Sequence, residues 1–107
     1  MYSTAAANIG YEITLDNAGV ASLGPIETAG MLTVVDSEYF SAIFNLRGSN
    51  ASASEVSDPI GVYTTTAGIA GYTNVYWSAG NNRYEIENLR GSARRYKIIL
   101  SGTYSSF

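Results

Sequence analysis

The 107-residue sequence contains no cysteine and no histidine. Without cysteine, the chain can form no disulfide and no thiolate metal site. Without histidine, it lacks the commonest general base, the commonest transition-metal ligand and a side chain that titrates near neutral pH. Because these absences remove most catalytic and metal-binding arrangements, we predict that the protein is not an enzyme and that it uses no metal or cofactor.

Charge is scarce as well. Charged residues make up 14% of the chain, and nine acidic against six basic residues give a net charge of −3, which argues against nucleic acid as a partner. No apolar run approaches the length of a membrane span, and the N-terminus lacks the features of a signal peptide. We therefore expect a soluble protein, made without signal-dependent export, that binds neither nucleic acid nor membrane.

The residues that are present favour β-structure. Hydrophobic residues make up 46% of the chain, with nine tyrosines and eleven glycines. Tyrosine, threonine, valine and isoleucine suit half-buried pleated surfaces, whereas glycine supplies turns. The length fits one domain, which we assign to residues 1–107. Within it, residues 1–9 are a candidate flexible N-terminal arm and residues 47–59 are predicted to be a long surface loop.

Alternation of polar and apolar residues predicts about eight short strands, and no window shows helical periodicity. The predicted strands are 10–15, 20–23, 31–35, 39–46, 61–66, 72–78, 83–88 and 94–101. Short strands at such regular spacing are typical of an antiparallel β-sandwich or a jelly roll. The predicted fold class is therefore all-β, with no significant helix.

The last two predicted strands read as a hairpin. In that register Glu87 faces Arg95 and Glu85 faces Lys97 on the solvent side, and tyrosines and isoleucines face the core. Exposed ion pairs of this kind contribute a few tenths to about 1 kcal/mol. Since a general acid needs a desolvated carboxyl group, this register argues against catalysis by the two glutamates.

Six side chains are candidates for an interface, because they are arginines beside turns or aromatic residues on one strand. They are Arg47, Arg90, Arg94, Tyr72, Tyr76 and Trp77. Each arginine is either a solvated loop residue or an interface anchor. We favour the interpretation in which Trp77 packs in the core and the two tyrosines are half-buried with solvated hydroxyls. The alternative is an exposed aromatic platform that stacks on sugars or on another subunit.

The pentapeptide NLRGS occurs twice, at residues 45–49 and 88–92. Asparagine, glycine and serine suit the tight exit of a strand, so we interpret both copies as turns. The two copies would form a docking point only if Arg47 and Arg90 lay at the same edge of the sandwich.

The stretch GVYTTTAGIAGYTNVYWSAGNNRYEIENLRGSARRYKIIL resembles small β-sandwich modules of tailed-bacteriophage virions, as found in capsid decoration proteins and in fibres. The matching features are a Tyr-x-Ile-x-Asn strand at 84–88, a glycine-containing turn at 89–93 and a basic, aromatic strand at 94–100. The resemblance covers about residues 61–101. It implies a structural or adhesive role in a virion that is assembled in the host cytoplasm and released by lysis.

The leading hypothesis is therefore a non-enzymatic capsid decoration or cement protein. It would bind viral capsid protein over subunit junctions, as a symmetric homo-oligomer. The alternative is a carbohydrate- or receptor-binding module of a phage tail or fibre, which requires at least two of Tyr72, Tyr76 and Trp77 on one surface with a polar rim. A small hydrolase would instead require a cleft with convergent carboxylates.

Overall fold

The computed structural model describes residues 3–23, 29–47 and 52–106. These residues form nine β-strands and no helix, which confirms the all-β prediction. The strands are β1 (Ser3–Leu15), β2 (Val20–Ser22), β3 (Ala29–Asp36), β4 (Ser41–Leu46), β5 (Ala53–Ser57), β6 (Tyr63–Thr64), β7 (Thr73–Ser78), β8 (Arg83–Asn88) and β9 (Arg94–Ser106). Accordingly, nothing in the described ranges is a helix of the length and hydropathy that a membrane span requires.

The strands are arranged in two sheets. The front sheet has the order β1-β9-β3-β4-β5, and the back sheet has the order β2-β8-β7-β6. All neighbours in the front sheet are antiparallel, whereas the short β6 runs parallel to β7 in the back sheet. The predicted β-sandwich is thus confirmed, and β9 lies between β1 and β3 in the front sheet.

The core lies between the two sheets and is built by period-two alternation. Tyr84 and Ile86 of β8, and Tyr96 and Ile98 of β9, are all buried, as the sequence predicted. Phe44 joins them from β4 and is fully buried. Burying a large apolar side chain stabilises the fold by about 1.5–3 kcal/mol, so this cluster supplies the main driving force for packing the sheets together.

The predicted terminal hairpin is wrong. The strand β8 pairs with β2 and β7 in the back sheet, whereas β9 pairs with β1 and β3 in the front sheet. Residues 89–93 cross between the sheets, so Glu85 does not face Lys97 and Glu87 does not face Arg95. The alternation of polar and apolar residues predicted the buried faces of β8 and β9 correctly. Such alternation specifies which face of a strand is buried, but not which strand lies beside it.

Two segments predicted to be irregular contain strands. The proposed loop at 47–59 includes β5, a polar edge strand that pairs with β4 across a β-bulge; residues 48–51 lie outside the described residues. The candidate arm at 1–9 belongs, from Ser3 onward, to β1, whose backbone pairs with β9 up to Ser106. Met1 and Tyr2 lie outside the described residues.

The β3–β4 turn holds a tyrosine in the left-handed backbone region. Tyr39 has φ 65°, its N–H donates to the Asp36 carbonyl at 2.9 Å, and its side chain is 87% exposed. Asp36 also accepts backbone hydrogen bonds from Glu38 and Phe40 at its Oδ1 atom. A three-residue hairpin loop usually places glycine or asparagine at this left-handed position, so the tyrosine strains the turn without packing into the fold.

Replacing Tyr39 with glycine is therefore expected to stabilise the protein by about 1 kcal/mol, because glycine adopts positive φ without steric cost. The midpoint of thermal unfolding should rise by about 4 °C or more. The matched control is Ser37→Gly in the same turn, where no positive φ is relieved. An unchanged or lower midpoint of thermal unfolding for Tyr39→Gly would contradict the claim that the backbone at Tyr39 is strained.

Candidate functional site

The outer face of the front sheet carries apolar side chains where solvent-facing positions are usually polar. The outward positions of β3 and β9 include Met31, Val35 and Ile99, and Met31 and Ile99 are 50% and 52% exposed. Ile99 lies opposite Thr33 in the strand register, so both Met31 and Val35 are its diagonal neighbours. We call Met31, Val35 and Ile99 the apolar stripe.

The outer face of the back sheet is polar by comparison. Its paired outward positions are Asn74 with Glu87, and Tyr76 with Glu85. The next position toward β2 is Val20, opposite Glu87. The two outer faces of the sandwich therefore differ in chemistry, and the apolar stripe is confined to one of them.

A small pocket adjoins one end of the apolar stripe. It has a volume of about 100 Å³ and is lined by Val35, Asp36, Ser37, Tyr39, Arg95 and Lys97. The guanidinium of Arg95 contacts Glu12, with 2.8 Å between Nε and Oε1. Among the ion pairs of the described residues none involves Lys97. We call this the Tyr39 pocket; it offers two cations, a phenol and a serine hydroxyl to a ligand.

Two of the predicted interface arginines lie behind this pocket rather than at an exposed loop tip. The side chains of Arg90 and Arg94 are only 8% and 11% exposed. Arg90 Nη1 lies 3.2 Å from the buried Asp36 Oδ2 and its guanidinium stacks over Phe40, while Arg94 hydrogen-bonds Glu38. The two arginines tie the crossover 89–93 and the start of β9 to the β3–β4 turn. The sequence did not reveal this role because Asp36 is distant along the chain.

Arg47 and Arg90 lie at opposite ends of the front sheet, so the NLRGS repeats do not form a joint docking point. Arg47 follows β4 beside the Leu46–Gly30 pair, whereas Arg90 contacts Asp36 beyond the other end of the β3–β4 ladder. The repeats also differ in burial, since Asn45 is exposed and Asn88 is fully buried.

A second concave surface lies on the side of the sandwich where β5 approaches β7. This groove has a volume of about 350 Å³ and is lined by Ser52, Ala53, Thr65, Thr66, Ala67, Tyr76 and Trp77. Trp77 packs against the core and meets Tyr84 edge to face at 5.1 Å between ring centroids. Tyr76 and Trp77 are adjacent on β7, so their side chains leave opposite faces of the strand, yet both line this groove. Tyr72 does not line it. Its size lies within the range of small-ligand sites.

The glutamates of β8 are partnered by amides and not by the predicted cations. Asn81 Nδ2 donates to Glu85 at 2.7 Å, and Glu85 is buried. Asn74 Nδ2 and the Gly68 N–H both donate to Glu87 Oε1, at 3.0 and 2.8 Å. These bonds hold the loop after β6 against the back sheet. Within the described ranges, no group of three potential metal-ligating side chains comes together.

Burial and the adjacent Glu87 and Glu85 carboxylates raise the pKa of Tyr76 to about 12. Burial also raises the pKa of Tyr84 and of Tyr96. The folded protein therefore keeps these phenols protonated after the unfolded chain has ionised near pH 10. The stability that protonated Tyr76 contributes is complete below that pH and is lost as the pH rises through its folded-state pKa of about 12.

We expect spectrophotometric titration of the native protein at alkaline pH to show a tyrosinate transition near pH 12 that Tyr76→Phe removes. The same variant should lose less stability between pH 10 and pH 12 than the unaltered protein. Titration in denaturant is the control, because every phenol should then ionise near pH 10. If the titration curve of the native protein overlays that of the denatured protein, the claim that folding raises the pKa of Tyr76 is contradicted.

The chain matches no protein-family model. No curated protein is similar to it in sequence. Among solved structures, it is similar to the tailspike protein of the Acinetobacter phage vB_ApiP_P1, with a TM-score of 0.40 and 13% sequence identity. The match covers 98% of this chain, but this chain spans only 22% of the tailspike chain. Similarity at this level does not assign a function to the chain.

Proposed function

We propose that the protein is a non-enzymatic virion module of a tailed bacteriophage that attaches to another virion protein through the outer face of its front sheet. The observation that carries the docking role is the apolar stripe, where Met31 and Ile99 are each about half exposed on the two adjacent strands β3 and β9. The phage assignment follows the sequence resemblance of residues 61–101. In its most specific form, the proposal is that the protein is a capsid decoration protein that binds over capsid subunit junctions as a symmetric homo-oligomer.

The contrast between the two outer faces supports this choice of surface. Apolar residues that share one exposed face mark interaction surfaces, whereas single exposed apolar residues need no explanation. At the outward positions of the back sheet stand the polar residues Asn74, Glu85 and Glu87, which are hydrogen-bonded to the loop after β6 and to Asn81. Protein interfaces combine an apolar centre with a polar rim, and the apolar stripe is bordered by the charged side chains of Arg95 and Lys97.

Charge indicates the kind of surface that the front sheet fits. The chain as a whole carries a net charge of −3, yet Arg95 and Lys97 both line the Tyr39 pocket at the end of the apolar stripe. A complementary partner is therefore a protein surface with apolar residues and at least one carboxylate. We propose that a capsid subunit supplies it.

Mass spectrometry of purified virions, resolved into heads and tails, tests the virion assignment. Recombinant protein should also bind undecorated heads until a fixed number of copies per capsid is reached. Presence in heads together with saturable binding is the expected result. Absence from the virion, or failure to bind heads, would contradict the proposal.

A glycan-binding role is the second candidate, because the groove at Tyr76 and Trp77 combines two aromatic residues with the hydroxyls of Ser52, Thr65 and Thr66. Aromatic faces stack on sugar rings, and hydroxyl groups bind sugar hydroxyls. Titration of isotope-labelled protein with host-surface glycans should then shift the resonances of the Trp77 indole and of the two threonines. If those resonances do not move at millimolar glycan, this second role is excluded.

A further inference from the structure

The Tyr39 pocket continues the apolar stripe into a site of different chemistry. Val35 belongs to both, since it lies in the stripe beside Ile99 and also lines the pocket. Lys97 lies opposite Val35 in the strand register. A partner that covers the stripe therefore reaches the pocket with a neighbouring residue.

The end of the sandwich around this pocket is positive. Four cationic side chains meet three carboxylates there, namely Arg90, Arg94, Arg95 and Lys97 with Glu12, Asp36 and Glu38. The charges of Arg90 and Arg94 are paired with the carboxylates of Asp36 and Glu38. The exposed charges at the pocket are those of Arg95, Lys97 and Glu12, since Glu12 contacts Arg95 and lies opposite Lys97 in the strand register. These three side chains leave one net positive charge at the pocket.

Tyr39 places its ring at this pocket at a cost to the fold. It occupies the left-handed region at φ 65°, where glycine serves the turn better, and its side chain is 87% exposed. Backbone strain of this kind persists where a local conformation serves another purpose. An exposed aromatic ring beside two cations is suited to cover a ligand that enters between them.

We infer that the Tyr39 pocket receives the carboxylate of an aspartate or glutamate side chain from the partner protein. In the docked complex that carboxylate lies between Arg95 and Lys97, under the Tyr39 ring, and apolar residues next to it in the partner cover Val35 and Ile99. The continuity of stripe and pocket favours an acidic protein segment, because a free anion or a sugar acid uses the pocket alone. This inference rests on the proposed docking role of the front sheet.

A peptide titration tests the pocket directly. The probe is the blocked peptide acetyl-Leu-Glu-Leu-amide, compared with its Leu-Gln-Leu analogue and with glucuronate, each added to isotope-labelled protein. We expect the glutamate peptide to shift Tyr39, Lys97 and Val35 resonances, with apparent affinity at least fivefold above that of the glutamine peptide. Equal responses to the two peptides, or a stronger response to glucuronate, would overturn the inference.

Measuring how variants bind to undecorated heads tests the pocket assignment separately from the docking role of the front sheet. Lys97→Glu should weaken binding by about 30-fold or more, because a like charge would face the partner's carboxylate. Tyr39→Gly should weaken binding although it stabilises the fold. Arg47→Glu, an exposed arginine at the opposite end of the sheet, is the matched control and should change affinity less than threefold. If Lys97→Glu binds heads like the control, the pocket assignment fails while the docking role stands; if the unaltered protein does not bind heads, the docking role and the inference both fail.

Discussion

Replacing Asp36 with alanine is expected to destabilise the protein by about 3–5 kcal/mol, the cost of breaking one side of a buried ion pair. The carboxylate is fully buried and lies 3.2 Å from Arg90 Nη1, whose side chain is itself 8% exposed. Removing it leaves a cation in the interior without its partner. It also leaves the Glu38 and Phe40 backbone N–H groups of the β3–β4 turn without their acceptor.

Glu38→Ala is the matched control for Asp36→Ala, since the Glu38 side chain is 52% exposed and contacts the same cluster through Arg94. Glu38→Ala should lower the free energy of unfolding by less than about 1 kcal/mol. A double variant that also replaces Arg90 with leucine should recover part of the loss, because no unpaired charge is then buried. Urea unfolding curves measure all three differences, and a loss below about 1 kcal/mol for Asp36→Ala would show that the cluster does not hold the two sheets together.

Replacing Asn88 with alanine is expected to lower the free energy of unfolding by about 3 kcal/mol, because it leaves one buried and two partly buried backbone groups without hydrogen bonds. The Asn88 amide donates to the carbonyls of Leu15 and Ser92 at 2.9 and 2.8 Å, and its Oδ1 accepts the Arg90 N–H at 3.0 Å. One side chain thus joins the end of β1 to the crossover between the sheets. The first residue of the second NLRGS copy is a structural connector.

The first NLRGS copy provides the control for this prediction. Asn45 occupies the equivalent position but is exposed on β4, so Asn45→Ala should change the free energy of unfolding by no more than about 0.5 kcal/mol. Equal losses for the two variants, measured by urea unfolding, would contradict the assignment of different roles to identical pentapeptides.

Much of the fold could be predicted because period-two alternation is a local property. It assigned Tyr84, Ile86, Tyr96 and Ile98 to the core, and all four are buried. Strand partners could not be predicted in the same way, because β8 and β9 present similar patterns whether they pair within one sheet or face each other across the core. The polar strand β5 was missed because its serines and glutamate resemble a loop; its position comes from pairing with β4.

The candidate sites could be predicted from the sequence only in small part. The arginines beside the second turn were identified, but their partner Asp36 lies 54 residues from Arg90 along the chain, and only tertiary structure joins them. The apolar stripe did leave a signal in the sequence, since MLTVV at 31–35 is apolar at every position except Thr33 and IIL at 98–100 is apolar throughout. Such runs indicate strands covered on both faces, and in this fold the core covers only one face of β3 and β9.

The most direct test of the docking face compares Ile99→Asp with Val20→Asp in binding to undecorated heads. The two side chains are 52% and 46% exposed, and they lie on the outer faces of the front and back sheets. Circular dichroism should show that both variants are folded. We predict that Ile99→Asp weakens binding by about 30-fold or more, whereas Val20→Asp binds like the unaltered protein; full binding by Ile99→Asp, or loss confined to Val20→Asp, would contradict the account.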